Sequence, residues 1–367
     1  MNPRLSALRQ KMAGQKLDAM LVTQAENRRY LSGFTGSAGY LFITATQAHL
    51  ATDSRYWEQV GQQAADFALA KIEASKSSSQ LFADLVRTAG ANRVGYEASD
   101  VTVATYRDLQ KALRPNRARG PKVGRPAGPI ARLVPTKGLV EGLRAVKDAA
   151  ELALIEQAVA LGDAAFAYGV RRMKPGMTEK QAAWEIERYL REHGAEGVAF
   201  ELIVAGGPNG AMPHARPSER VIQAGEPIVI DMGCRVDGYN SDLTRTIVLG
   251  EPSAKFREVY AIVLKAQLAA EAALRAGPKG KEIDAVARQI IVEAGYGDYF
   301  GHGLGHGVGL AVHEEPGLGK LGEKALQPNM VCTIEPGIYL PGEFGVRIED
   351  MAVVTADGCR VLTKAQK

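Results

Sequence analysis

The 367-residue sequence predicts an α/β (α+β) protein of two domains, 1–128 and 129–367, the second assembled from two similar halves. Three observations carry that expectation. Residues 1 to about 113 alternate helical and strand-like patterns, as a mixed α/β layer requires. Five prolines between Arg114 and Pro135 then interrupt both patterns and mark a boundary. Beyond them, a helix, a Pro/Gly turn, a second helix and a β-rich segment occur twice, about a hundred residues apart.

In the first domain, Leu5, Leu8 and Met12 fall on one helical face. Ala19–Val22, Tyr40–Ile43 and Val94–Glu97 read as short apolar strands, with helical stretches such as Ser79–Arg87 between them. In the second, a long helix is expected from near Asp148 until Lys174-Pro175-Gly176 stops it. Thr178 followed by Gln181 is a capping-box pattern and opens a helix that ends at His193-Gly194. The second copy starts near Lys265, turns at Gly277-Pro278 and ends near Gly295. The β-rich segment after the first copy holds Asp231 and Asp242, and that after the second holds Glu335 and Glu349. A pseudo-twofold arrangement would set the two hairpins face to face and collect these four acids in one cleft.

Composition narrows the class. Hydrophobic residues at 46% and charged residues at 23% exclude disordered and fibrous proteins. No apolar run reaches the roughly 20 residues that cross a bilayer, and the amphipathic N-terminus has no apolar signal core. Cys234, Cys332 and Cys359 are odd in number and lack CxxC spacing, which fits a reducing cytoplasm and no membrane partner. Arg114, Arg117, Arg119, Lys122 and Arg125 cluster among prolines and glycines without aromatic residues. They read as a solvated connector, and no nucleic-acid partner is expected.

Asp231 and Glu335 each follow an apolar run, where a carboxylate is costly unless a positive group meets it. Four converging carboxylates would repel, leaving some protonated, and divalent cations resolve that conflict. Pairing with a local arginine, Arg245 or Arg347, is the alternative for any one acid. Three of the six histidines, His302, His306 and His313, sit in one glycine-rich stretch where backbone can approach a site closely. His214 lies on a loop after Pro208-Asn209-Gly210, while His49 and His193 read as structural or surface residues.

The segments IDMG (230–233), SDLTRT (241–246), HGLGH (302–306), VHEEP (312–316), TIEPGIY (333–339) and VRIED (346–350) resemble the pita-bread metallopeptidases. Within that family they are similar to the Xaa-Pro branch of prolidase and aminopeptidase P. NRRYLSGFTGS (27–37) and DSRY (53–56) resemble that branch's creatinase-like N-terminal domain. The resemblance implies that domain followed by a pseudo-twofold pita-bread catalytic domain, and hydrolysis of Xaa-Pro bonds, foremost in dipeptides, by a metal-bridging hydroxide. It implies two divalent ions, with Asp231 on one, His306 and Glu335 on the other, and Asp242 and Glu349 bridging both. That oxygen-rich set suits Mn²⁺, with Co²⁺, Fe²⁺ or Zn²⁺ as alternatives. Glu335 would also act as general base, and His214 and His313 would donate to the substrate. Arg347, Tyr339 and His302 would support the ligands or bind substrate, with Arg347 orienting Glu349. A homodimer is also implied.

Prolidases of this branch often hold the dipeptide carboxylate with an arginine between the VHE and TIEP motifs. Residues 316–332 contain none, which leaves Lys320, Lys324, Arg29 and Arg55 as substitutes. Removal of a residue before proline from longer peptides therefore stays open. So do a non-catalytic binding protein on the same fold and metal-free, creatinase-like chemistry.

Overall fold

The apolar runs of the first part pair into one mixed sheet. In the computed structural model, which describes residues 2–114 and 131–367, its strands are β1 (Ala19–Val22), β2 (Tyr40–Thr44), β3 (Ala48–Thr52), β4 (Ala68–Lys71), β5 (Arg93–Glu97) and β6 (Arg132–Thr136). Their order is β4-β3-β2-β1-β5-β6. Every residue of β1 and β2 is buried, so they read as continuous apolar runs rather than alternating ones. Helix α1 (Pro3–Gly14) buries Leu5, Leu8 and Met12, and α2 (Ser78–Ala89), opened by a Ser77–Gln80 capping box, buries Phe82, Ala83 and Val86.

The chain divides into units Met1–Leu143 and Arg144–Lys367, not at 128/129. Strand β6 pairs in parallel with β5 from Arg93↔Arg132 to Glu97↔Thr136 and so belongs to the first sheet. Pro135, taken from the sequence as part of a break, sits on an edge strand, where a missing N–H is tolerated. The basic residues Arg117, Arg119, Lys122 and Arg125 lie outside the described residues.

The second unit repeats one plan. Helices α3 (Ala149–Arg172) and α4 (Glu179–Glu192) begin at reciprocal capping boxes, Asp148–Glu151 and Thr178–Gln181. They cover the sheet of β7 (Ile203–Gly206), β8 (Pro227–Met232) and β9 (Leu243–Val248). Phe166, Ile186, Ile228, Ile230 and Met232 share that core. Helices α5 (Ala254–Ala273) and α6 (Gly280–Glu293) cover a second sheet through Val259, Val263, Ile283, Cys332 and Ile334. It comprises β10 (Gly305–Gly307), β11 (Glu314–Leu318), β12 (Val331–Ile334), β15 (Asp350–Val354) and β16 (Cys359–Val361), with the hairpin β13 (Gly337–Leu340)–β14 (Phe344–Arg347) alongside.

The two halves meet strand to strand. Glu349 N donates to Thr244 O at 3.0 Å, and Thr246 Oγ1 donates to Arg347 O at 3.0 Å. Behind that seam the buried Arg245 guanidinium donates to Asp350 Oδ1 at 2.7 Å, Glu349 O at 2.5 Å and Ala365 O at 2.7 Å. Among the described residues no helix is long and apolar enough to cross a membrane.

Candidate metal centre and active site

Strand alternation decides which side chains leave the core. On β8, Ile228, Ile230 and Met232 turn toward α3 and α4, so Asp231 takes the opposite face. On β12, Cys332 and Ile334 enter the other core, which leaves Thr333 and the following Glu335 on the open side. A cavity of about 440 Å³ lies there, lined by Asp231, Asp242, His306, Glu335 and Glu349, together with His214, His302, His313 and Arg347. All the sequence-predicted site residues except Tyr339 line it.

Ligand atoms of Asp242, His306 and Glu349 lie within 4.8 Å of one another. His306 Nε2 is 3.6 Å from Asp242 Oδ2 and 3.3 Å from Glu335 Oε1. Its Nδ1 is 3.1 Å from Gly307 O, so a proton on Nδ1 leaves the Nε2 lone pair facing the acids. Gly305 makes this approach feasible, because a Cβ there would collide with the Thr333 carbonyl oxygen.

The electrostatics call for cations. Burial raises Asp242 well above the usual carboxylate range, and Glu349, Asp231 and Glu335 raise it further. Burial also raises Glu349, with Glu335 and Asp231 adding to it. Glu335 is pushed up to about 7 by burial, with Arg347 opposing and Asp231 adding. Burial and His313 lower His306 to about 4, so its imidazole is neutral, as a metal ligand must be. Asp231 Oδ1 is buried with no hydrogen-bond partner among the described residues. Two like charges about 4 Å apart repel by about 4 kcal/mol at an effective dielectric of about 20, and four carboxylates form six repelling pairs against at most four attractions to a single guanidinium. The donor set therefore fits divalent cations.

Arg347 departs from expectation. It donates through Nη2 to Asp231 Oδ2 at 2.6 Å and through Nη1 to the Tyr339 hydroxyl at 2.6 Å. It reaches Glu349 only through Thr244, whose Oγ1 accepts from Arg347 Nε at 3.1 Å and donates to Glu349 Oε2 at 2.6 Å. Arg347 ends β14 and Glu349 precedes β15, strands of two different sheets, and the guanidinium reaches Asp231 on β8. Tyr339 stands behind the cavity wall, with its hydroxyl 3.0 Å from His302 Nε2, and burial pushes it up to about 12. The His313 and His306 rings meet edge to face at 4.1 Å, and burial lowers His313.

Residues 153–356 match Metallopeptidase family M24, and residues 4–146 match the Creatinase/Prolidase N-terminal domain. The chain belongs to metallopeptidase family M24. It is 34% identical to the Xaa-Pro dipeptidase of Pyrococcus horikoshii over 100% of this chain and 98% of that one. It superposes on the Xaa-Pro dipeptidase from Bacillus anthracis with a TM-score of 0.92 at 39% identity, covering 100% of this chain and 98% of that chain. The X-Pro aminopeptidase from Thermotoga maritima gives a TM-score of 0.84 at 37% identity over 96% of each chain. The expected creatinase-like domain and pita-bread fold are thus both present, and M24 membership makes the chain a hydrolase that uses divalent metal ions.

Several residues of this M24 site escaped the sequence reading. Thr244 and Thr333 are two positions from Asp242 and Glu335, on the same strand faces, and Thr333 Oγ1 donates to Glu335 Oε1 at 3.2 Å. Both fall inside the quoted segments SDLTRT and TIEPGIY, and strand parity with the neighbouring acids was the signal that they face the site. Glu201 and Arg216 also line the cavity. Neither Lys320 nor Lys324 does, and Lys324 pairs with Glu315 at 2.9 Å.

Proposed function

We propose that this M24 peptidase hydrolyses the Xaa-Pro bond of dipeptides and holds two divalent ions, Mn²⁺ foremost. The observation that carries this reading is the convergence of Asp231, Asp242, His306, Glu335 and Glu349 on one cavity in which Asp231 Oδ1 has no hydrogen-bond partner among the described residues. Asp231 would hold one ion, His306 and Glu335 the other, and Asp242 and Glu349 both. Four carboxylates with one imidazole suit Mn²⁺, while Co²⁺, Fe²⁺ and Zn²⁺ accept the same donors. Bound ions supply Lewis acidity and a water of lowered pKa.

The protein groups do the rest. Glu335 takes a proton from the attacking water and passes it to the proline nitrogen, which leaves as an amine. His214 and His313 donate to the carbonyl oxygen as it gains negative charge, an interaction that contributes about 3 kcal/mol per donor. The preference for dipeptides is supported by the relatives from P. horikoshii and B. anthracis, both named Xaa-Pro dipeptidases. The likeness to the T. maritima aminopeptidase favours a second reading, in which longer peptides lose the residue before proline.

A cytoplasmic setting is supported by three free cysteines, and a homodimer by the resemblance to the Xaa-Pro branch. Sedimentation of the purified protein checks the dimer. The activity is tested with Ala-Pro and Ala-Pro-Ala, each with Mn²⁺ and with chelator. Cleavage of Ala-Pro that chelation removes is expected. Efficient cleavage of Ala-Pro-Ala would establish the second reading, and no metal-dependent cleavage of either peptide would refute both.

A further inference from the structure

Among the described residues, two arginines line the cavity, Arg347 and Arg216. Arg347 is fully committed, bonded to Asp231, Tyr339, Thr244 and Pro213 O. Arg216 is not. Its side chain is 80% exposed, and its Nε lies 3.1 Å from Oε2 of Glu201, which is 61% exposed and lines the same cavity. Such an exposed, solvent-screened pair contributes little, so a better partner can displace it.

Both members are nevertheless held in place through the backbone. Arg216 lies two residues beyond His214, and the Ala215 between them is buried against Ile203 and Ala205. Pro213 O accepts from Arg347 Nη1 at 3.3 Å, fixing the start of that segment to the acid cluster. Glu201 lies two residues before Ile203, which pairs directly with Asp231. A planar fork of donors on an anchored segment, released at little cost, suits capture of a carboxylate.

We propose that Arg216 receives the free α-carboxylate of the substrate and that Glu201 competes for it in the substrate-free enzyme. This rests on the reading of the chain as an Xaa-Pro dipeptidase. In a dipeptide the proline after the scissile bond carries that carboxylate, whereas in a longer peptide an uncharged amide takes its place. Arg216 thereby selects substrate length by charge. Glu201 is a positioning residue that sets how readily the guanidinium turns to the substrate.

The test compares steady-state kinetics on Ala-Pro and on Ala-Pro-amide, which lacks only the carboxylate charge. The metal-loaded wild type, Arg216→Ala, Arg216→Lys and Glu201→Gln are measured side by side. Arg216→Ala is expected to shrink the Ala-Pro to Ala-Pro-amide ratio of kcat/KM by about 10- to 100-fold, mainly through KM for Ala-Pro. Arg216→Lys should restore part of the ratio. Glu201→Gln should lower KM for Ala-Pro several-fold with kcat held, a split that a purely structural role would not produce. A wild type that prefers Ala-Pro, with a ratio that survives in Arg216→Ala, overturns the assignment of Arg216 while leaving the dipeptidase reading standing. A wild type with no preference for Ala-Pro overturns that reading and the assignment with it.

Discussion

Replacing Thr244 with valine removes one hydroxyl at a point where it serves two charged groups. Thr244 is fully buried, and its Oγ1 donates to Glu349 Oε2 at 2.6 Å while accepting from Arg347 Nε at 3.1 Å. Valine keeps the branched shape and the strand preference, so the Thr244↔Asp231 register should persist. Hydrogen bonds to charged groups contribute about 1.5–3 kcal/mol, and a buried donor left unmatched costs about 1–3 kcal/mol. The two losses share one hydroxyl, so we expect about 2–4 kcal/mol less stability in urea unfolding. Under the proposed ligand set Glu349 also loses the donor that orients it. Supporting contacts of this kind contribute about 10- to 100-fold to metal affinity, equal to about 1.4–2.8 kcal/mol. Calorimetric titration with Mn²⁺ measures that loss, with Thr244→Ser, which keeps the hydroxyl, as control. A valine variant within about threefold of wild type in affinity and within about 0.5 kcal/mol in stability would refute the reasoning.

Asp242→Ala and Glu349→Ala are each expected to abolish turnover while far-UV circular dichroism stays that of wild type. Near-normal turnover in either variant would remove the dinuclear assignment. Glu335, lifted to about 7 in the metal-free fold, holds its proton more tightly there than in the unfolded chain. Its stabilising effect is complete below about pH 4.3, the unfolded value, and is lost as pH rises through about 7. Cations bind the ionised form, so Mn²⁺ affinity should fall below about pH 7, with proton release on binding; equal affinities at pH 6 and pH 8 would contradict this. Arg245→Met takes the guanidinium from Asp350 Oδ1, leaving that carboxylate to Lys367 and Gln267 on Oδ2, and also leaves the Glu349 and Ala365 carbonyls without it. It should cost about 3 kcal/mol in urea unfolding, a loss under about 1 kcal/mol being the contrary result.

The legible parts of this protein were those encoded locally. The capping pair Thr178–Gln181 spans three residues, and the helix start it predicts is where that helix begins; the helix expected from near Asp148 begins at Ala149. Asp231 and Glu335 stood out because each ends an apolar strand, and their strands carry them to one cavity. Strand β6 was obscured because proline marks both chain breaks and edge strands. Arg347 was read by its nearness to Glu349 in sequence, yet its partner Asp231 is 116 residues away. Thr244 and Thr333 are ordinary strand residues whose importance comes only from what stands beside them. Arg216 and Glu201 meet from a loop and a strand entrance, a pairing that no local pattern encodes.

The seam between the two halves has a consequence for synthesis. Thr244 meets Glu349 and Thr246 meets Arg347 across 105 and 101 residues of chain. At about 5–20 residues per second on the ribosome, roughly 5–20 s separate the emergence of Asp231 from that of Glu335. Throughout that interval the first two acids are ordinary solvated carboxylates, with neither the repulsion nor the partners that define the finished cavity. Contacts so distant in sequence form only after the loop between them has closed. The cavity can therefore take up ions only after both halves have docked, so ion uptake during refolding times the docking of the halves.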